Sequence, residues 1–200
     1  MNRLQQLLSK ITDSDDENSW SEVYNAINRE ANPEWLPGLR AAFLDAPDYV
    51  LREMLAEPVA RLGGVSELRL LLEGAQKGEE EGHDNDSLNA AICDLVELAP
   101  VESFTILKVL AVSEDSRARR NAAWLLGFVD TKESFAILSH LIRDPEAEVA
   151  TTGILSIADL ASGDGRSAIK ALPFPFRFFH RRLIDRALII PVRPKPPTRP

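Results

Sequence analysis

In DSRARRNAAWLLGFVD, residues 115–130, the apolar positions Ala118, Ala122, Leu125, Leu126 and Val129 step by 4, 3, 1 and 3. Those steps return to one side of an α-helix, whose turn takes about 3.6 residues. The same template fits Leu51, Leu55, Pro58, Val59 and Leu62. It fits Leu88, Ile92, Leu95, Val96 and Ala99, then Ala147, Thr151, Ile154, Leu155 and Ala158. Weaker copies are Trp20, Tyr24, Ile27, Asn28, Ala31 near the start and Phe176, His180, Leu183, Ile184, Ala187 near the end. A second series of helices is expected between these, at 3–12, 34–46, 65–76, 101–112, 132–143 and 165–172. In it ESFTIL (102–107) and ESFAIL (133–138) are equivalent turns, expected to pack Phe104 with Leu107 and Phe135 with Leu138 onto a partner helix. The pattern predicts a two-helix unit recurring about every 31–36 residues, a solenoid period.

The punctuation fits this reading. Ser19 and Glu22 form a capping-box pattern. Asp48, Asp86, Asp115 and Asp144 stand where the second helix of a unit needs its N-cap. Pro33, Pro100 and Pro145 suit first-turn positions, and Gly63-Gly64 suits a helix end. Pro58 falls inside a helix and is expected to bend it.

The stretch DSRARRNAAWLLGFVDTKESFAILSHLIRDPEAEVATTGILSIADL, 115–160, resembles HEAT-like repeats of the short bacterial type. In that family an Asp or Asp-Pro opens the inner helix, a small-residue and Leu-rich stripe follows, and a short turn leads to an outer helix. The resemblance extends over about 48–162; a loop insertion at 77–86 and Thr151 in the buried stripe depart from it. It implies an all-α fold, a right-handed α-solenoid of about six antiparallel helix pairs with second helices on the concave side. The expected organisation is one HEAT-like domain over 1–190, with units near 2–31, 33–62, 65–99, 101–129, 132–161 and 165–189, then a Pro-rich basic tail, 191–200.

Composition agrees with helix: the chain is 44% hydrophobic but only 6% aromatic, and β-branched residues are sparse beside Ala and Leu. A single cysteine, Cys93, builds no disulfide framework, and a reducing compartment is expected. The N-terminus lacks the apolar core of a secretory signal, and no run of about 18 apolar residues occurs. A cytoplasmic protein, not bound to membranes, is expected.

Charge changes the picture. Residues 1–162 carry a balance of −15, and residues 163–200 carry +7. The connections from first to second helices read TDSDDEN, DAPD, KGEEEGHDND, SED and RDP. In a stacked array these would emerge along one edge and gather fourteen carboxylates there, with Lys77 and Arg143 the cations among them. One Asp per turn suffices for capping; the excess in DSDDE and GEEEGHD points to a basic partner. DSDDEN is no calcium loop, since its sixth position is Asn18 and its twelfth Tyr24.

No metalloprotease, hydrolase-elbow, P-loop or dinucleotide-binding motif is present, and His83, His140, His180 and Cys93 lack metal-ligand spacing. No cofactor, metal or catalytic activity is expected. Nucleic acid is disfavoured as a partner by the −15 body. Trp124 is expected either to fill the space over Gly153 or to serve as an aromatic anchor, with Arg117 and Arg120 beside it. In the C-terminal segment Phe176, Phe179, Leu183 and Ile184 suit an end cap, and PKPPTR, 194–199, fits a P-x-x-P-x-R peptide pattern.

The expected function is therefore non-catalytic binding of another, basic protein. A short acidic HEAT-like chain resembles immunity proteins that neutralise bacterial toxins, which implies a basic toxin domain as partner. The expected partner-binding residues are Asp13, Asp15, Asp16, Glu17, Glu79, Glu80, Glu81, Asp84, Asp86, Glu114, Asp115 and Trp124. The alternatives are a subunit resembling HEAT-like phycobilin lyases and a general assembly scaffold.

Overall fold

A computed structural model describes residues 2–12 and 17–160. Among them the chain is helical throughout, without strands. The first series of helices comprises α1 (Arg3–Thr12), α3 (Leu36–Leu44), α5 (Leu68–Glu80), α7 (Pro100–Leu110) and α9 (Lys132–Leu141). The second series comprises α2 (Glu17–Glu30), α4 (Tyr49–Gly63), α6 (Asp86–Leu98), α8 (Ser116–Leu126) and α10 (Ala147–Asp159). Short 3-10 turns, Pro33–Trp35 and Gly64–Glu67, lead into α3 and α5. The expected sixth helix pair and the tail, with the Phe176 stripe, lie outside the described residues. No described helix is long and apolar enough to cross a membrane.

The chain divides into two compact units, Met1–Leu95 and Val96–Pro200. In the first, α1 packs on α2, α3 on α4, and α2 along α4. Two hydrogen bonds fix the α2–α4 register: the Tyr24 hydroxyl donates to Glu57 Oε2 at 2.8 Å, and Arg61 Nη2 donates to Asn28 O at 3.1 Å. Both span 33 residues, and a constant offset requires the two helices to run parallel. The backbone N–H of Ser87 donates to Glu53 Oε2 at 3.2 Å and ties the start of α6 to α4 at an offset of 34. In the second unit α8 packs on α7, α9 and α10. There Ser156 Oγ donates to Trp124 O at 3.4 Å, an offset of 32. In both units the spacing of cross-helix bonds thus lies near the sequence period.

The core follows the apolar template in α4, α6 and α8. Leu51, Leu55 and Val59, then Leu88, Ile92, Leu95 and Val96, then Ala122, Leu125, Leu126 and Val129 are buried. In α10 the stripe is turned: Val149, Ala150, Ile154 and Ile157 are buried, Thr151 is half-buried and Leu155 is 37% exposed. The turn has a local cause. Gly153 lies against the end of α9, where a Cβ would stand 3.2 Å from Ile142 Cγ2, so the small-residue side faces that helix. In α2 the buried set is Val23, Ala26 and Ile27, while Trp20 and Tyr24 are half-buried.

The two ESF turns are equivalent, although serine and leucine go deepest. Ser103 and Leu107, and Ser134 and Leu138, are fully buried, while Phe104 and Phe135 are half-buried. Asp48 accepts from Leu51 N at 2.9 Å and Asp115 from Arg117 N at 3.0 Å, as N-caps should. Thr131 caps α9 by accepting from Ser134 N. The Ser19–Glu22 pattern falls inside α2, which already begins at Glu17. Pro100 opens α7, Pro58 is buried inside α4, and Gly64 follows α4 with φ +61°, a conformation that favours glycine.

Candidate functional site

The densest described acidic segment surrounds the junction of α5 and α6. The expected loop over 77–86 is shorter in the structure: Lys77, Gly78, Glu79 and Glu80 continue α5, leaving a tight turn from Glu81 to Asn85. Gly82, with φ +85°, and Asn85, with φ 55°, both adopt left-handed backbone. Asn85 is only 4% exposed and acts as the turn's internal strut. Its Nδ2 donates to Ala75 O at 2.9 Å and to His83 O at 3.2 Å. Its Oδ1 lies against Gly78, where a Cβ would collide with it. The His83 N–H donates to Gly78 O at 2.9 Å, and its ring stacks on Tyr49 with centroids 3.5 Å apart.

Glu79, Glu80, Glu81, Asp84 and Asp86 are all exposed around this braced turn. Glu81 pairs with Arg52, a residue only 1% exposed, and so compensates a buried charge. Glu80 accepts from Gln76 Nε2 at 3.3 Å. Asp86 opens α6, where the helix dipole favours an acid. Glu79 and Glu80 stand on the last turn of α5, the end that disfavours carboxylates by about 0.3–1 kcal/mol each. Neither capping nor the helix dipole explains them.

In the second unit the turn acids are drawn into an internal clamp. Arg119 donates from Nε and Nη2 to the two Asp144 oxygens at 2.7 and 2.9 Å, and from Nη1 to Ser113 O and Glu114 O, both at 2.9 Å. This pairing holds the Asp144 carboxyl below its ordinary range. Asp144 also accepts from Glu146 N at 3.0 Å, but α10 begins at Ala147, so Asp144 closes the preceding turn and is not the cap expected of it. Glu114 and Asp115 are exposed, and Asp115 lies 3.9 Å from Arg117. Arg120 pairs with Glu148 at 3.4 Å.

Trp124 is half-buried and meets Phe128 edge-on at 6.4 Å. A Cβ at Gly153 would first meet Ile142 and Leu141, at the end of α9. Asp13, Asp15 and Asp16 lie outside the described residues, and of Glu17 only the place at the start of α2 is described. The structure therefore brings Glu79, Glu80, Glu81, Asp84 and Asp86 together around one turn. Sequence reasoning missed Arg52, Asn85 and Arg119. Arg52 carried a faint signal, a cation directly after the stripe residue Leu51, with an acid run that includes Glu81, 29 residues later. No family model matches the chain, and no curated protein matches it.

Proposed function

We propose that this chain is a non-catalytic HEAT-like helical-repeat protein that binds a basic protein, and that it acts as an immunity protein neutralising a toxin domain. The observation that carries the binding reading is the α5–α6 junction. There, exposed acids stand at a helix end that disfavours them, on a turn braced by Asn85 and by the His83–Tyr49 stack. A braced acidic surface loses little freedom on binding and steers a cationic partner at long range. The repeat reading is supported by the parallel α2–α4 pair and by hydrogen bonds between second helices at offsets of 32–34 residues within each unit. Continuation of that stacking along the whole chain, as a right-handed solenoid, is part of the same proposal.

The test is capture of partners on the immobilised full chain, identification by mass spectrometry, and rate measurements with the purified partner. A basic protein bound at one-to-one stoichiometry is expected. The triple variant Glu79→Gln, Glu80→Gln, Asp84→Asn should associate about tenfold more slowly at low ionic strength, with the difference shrinking above about 0.2 M salt. Unchanged rates would remove this surface from the mechanism. The immunity reading adds that the partner arrests growth when expressed alone and not when co-expressed with this chain; a harmless partner overturns it.

A further inference from the structure

Seven large apolar side chains stand exposed among the described residues, and four of them lie on or beside α7. Val101, Val109 and Val112 are 76%, 56% and 78% exposed, and Leu98 stands uncovered just before the helix. Glu102, Thr105 and Lys108 are exposed among them. With the helical spacing carried past the helix end to Val112, these valines and polar residues fall within about 60° of Thr105, at about 3.6 residues per turn. The repeat does not demand an apolar outer face. The equivalence of Ser103 with Ser134 places Lys132, His140 and Arg143 at the positions of the three valines, and all three are exposed. The apolarity belongs to α7 alone of the two helices.

The face is also symmetric about its centre. Val101 and Val109 stand four residues either side of Thr105, and Glu102 and Lys108 stand three residues either side. A two-fold axis through Thr105 lays α7 antiparallel against a second copy of itself. Residues equally distant from Thr105 then come level, at about 1.5 Å of rise per residue. Val101 comes level with Val109 of the second copy, and Glu102 with Lys108 of the second copy. Every acid meets a base, whereas parallel pairing sets acid on acid and base on base. The Lys108 ammonium, 5.3 Å from the centre of the Phe104 ring, stands at the edge of this face. A surface that must match itself requires such symmetry; a surface for a different protein does not. The exposed Glu97 and Glu114 lie beyond the paired span, where solvent screens them.

We propose that α7 is a self-association surface: two copies of this chain pair antiparallel through Val101, Thr105, Val109 and Val112, with Glu102 and Lys108 bridging the seam. Burial of the valines supplies the affinity, and the opposed charges fix direction and register. Two helices of this length cover on the order of 1,000 Å² in all, the low end for a specific complex. The dimer therefore forms and dissociates with concentration, with a Kd of about 10–100 μM. The proposal goes beyond the binding of a basic protein and does not depend on it, since none of the acidic residues of the α5–α6 turn takes part.

Sedimentation equilibrium of the full chain, from about 5 to 500 μM, should show a monomer passing into a dimer and no larger species. Val109→Asp should weaken the dimer at least about tenfold, because symmetry buries the added charge twice. Its circular dichroism should stay that of the parent, since Val109 is exposed. Glu102→Lys and Lys108→Glu should each weaken the dimer at least about threefold at low ionic strength, and the double variant should regain the parent Kd. The two residues are six apart on one helix and do not face each other within a chain, so recovery reports pairing between copies. Mild oxidation should trap Thr105→Cys as a covalent dimer far faster than the parent, whose single thiol is Cys93. A monomer at every concentration, with residues 161–200 or another protein left to cover the face, overturns the proposal. A dimer indifferent to Val109→Asp overturns it too. A double charge variant as weak as either single one overturns the antiparallel register.

Discussion

A methyl group at position 78 would occupy the space of the Asn85 side-chain oxygen. Gly78→Ala should therefore cost about 1–3 kcal/mol, because Asn85 must leave a site in which it makes two hydrogen bonds and holds left-handed backbone. The urea midpoint measures this, and a midpoint within experimental scatter of the parent would show that the strut is dispensable. Such residues were hard to foresee. The acids of GEEEGHD were plain in the sequence as a charge run, and their exposure follows. That Glu81 serves a buried arginine 29 residues away depends on helix register, which a run of letters does not carry. Asn85 looked like one more polar loop residue, and Lys77–Glu80 like loop, although Gln, Lys and Glu are good helix formers. The ESF repeat was legible, but its meaning lay in the serine: a small side chain at 103 and 134 goes fully inside while phenylalanine stays half out.

Among the elements, apolar spacing placed every described helix to within a few residues, because a stripe at helical period has few other ways to be buried. Where it failed, in α10, a tertiary contact decided: Gly153 against Ile142 turns the buried face away from Leu155. Asp144 makes the same point. It stands where a cap would, yet its stronger partner is Arg119, which bridges the turns before α8 and α10 through four hydrogen bonds. Arg119→Ala should cost about 2–4 kcal/mol in urea unfolding, since it leaves a mostly buried carboxylate and two carbonyls without their donor. Arg119→Lys should recover less than half of that loss, because a single ammonium cannot reach four acceptors in two directions. Full recovery by lysine would mean that charge alone, and not the fork of the guanidinium, ties the turns.

At the scale of the molecule, sequence periodicity was informative about which helices pack together inside each unit and silent about the division into units. The stripe Leu88, Ile92, Leu95, Val96, Ala99 runs through residues 95 and 96 without interruption, so nothing in its spacing marks the boundary between the two compact units. Opposed charge, by contrast, ties helix to helix, within one repeat at Arg3–Glu30 and between neighbouring repeats at Arg40–Glu67 and Arg119–Asp144, and it sets how the fold responds to acid. Glu30 is held at about 2, well below its ordinary 4.5, by the hydrogen bonds of Arg3 and then Arg29. Glu67, 2% exposed and gripped by Arg40 and Ser66, is also lowered, as is Asp144 beside Arg119. A carboxyl whose folded value lies below its unfolded one contributes stability that is complete above the unfolded value and is lost as pH falls through the folded one. The urea midpoint should therefore lose the contribution of these three pairs only below about pH 4.5, with the decline continuing toward pH 2. Arg3→Met separates one pair from the others. It removes the bidentate partner of Glu30, 2.9 and 3.2 Å away, and should flatten the lowest part of that decline while leaving the pH 5–7 region unchanged in slope. A parent curve that stays level to pH 3, or a variant curve parallel to the parent throughout, would show that these pairs mark the meeting of helices without stabilising it.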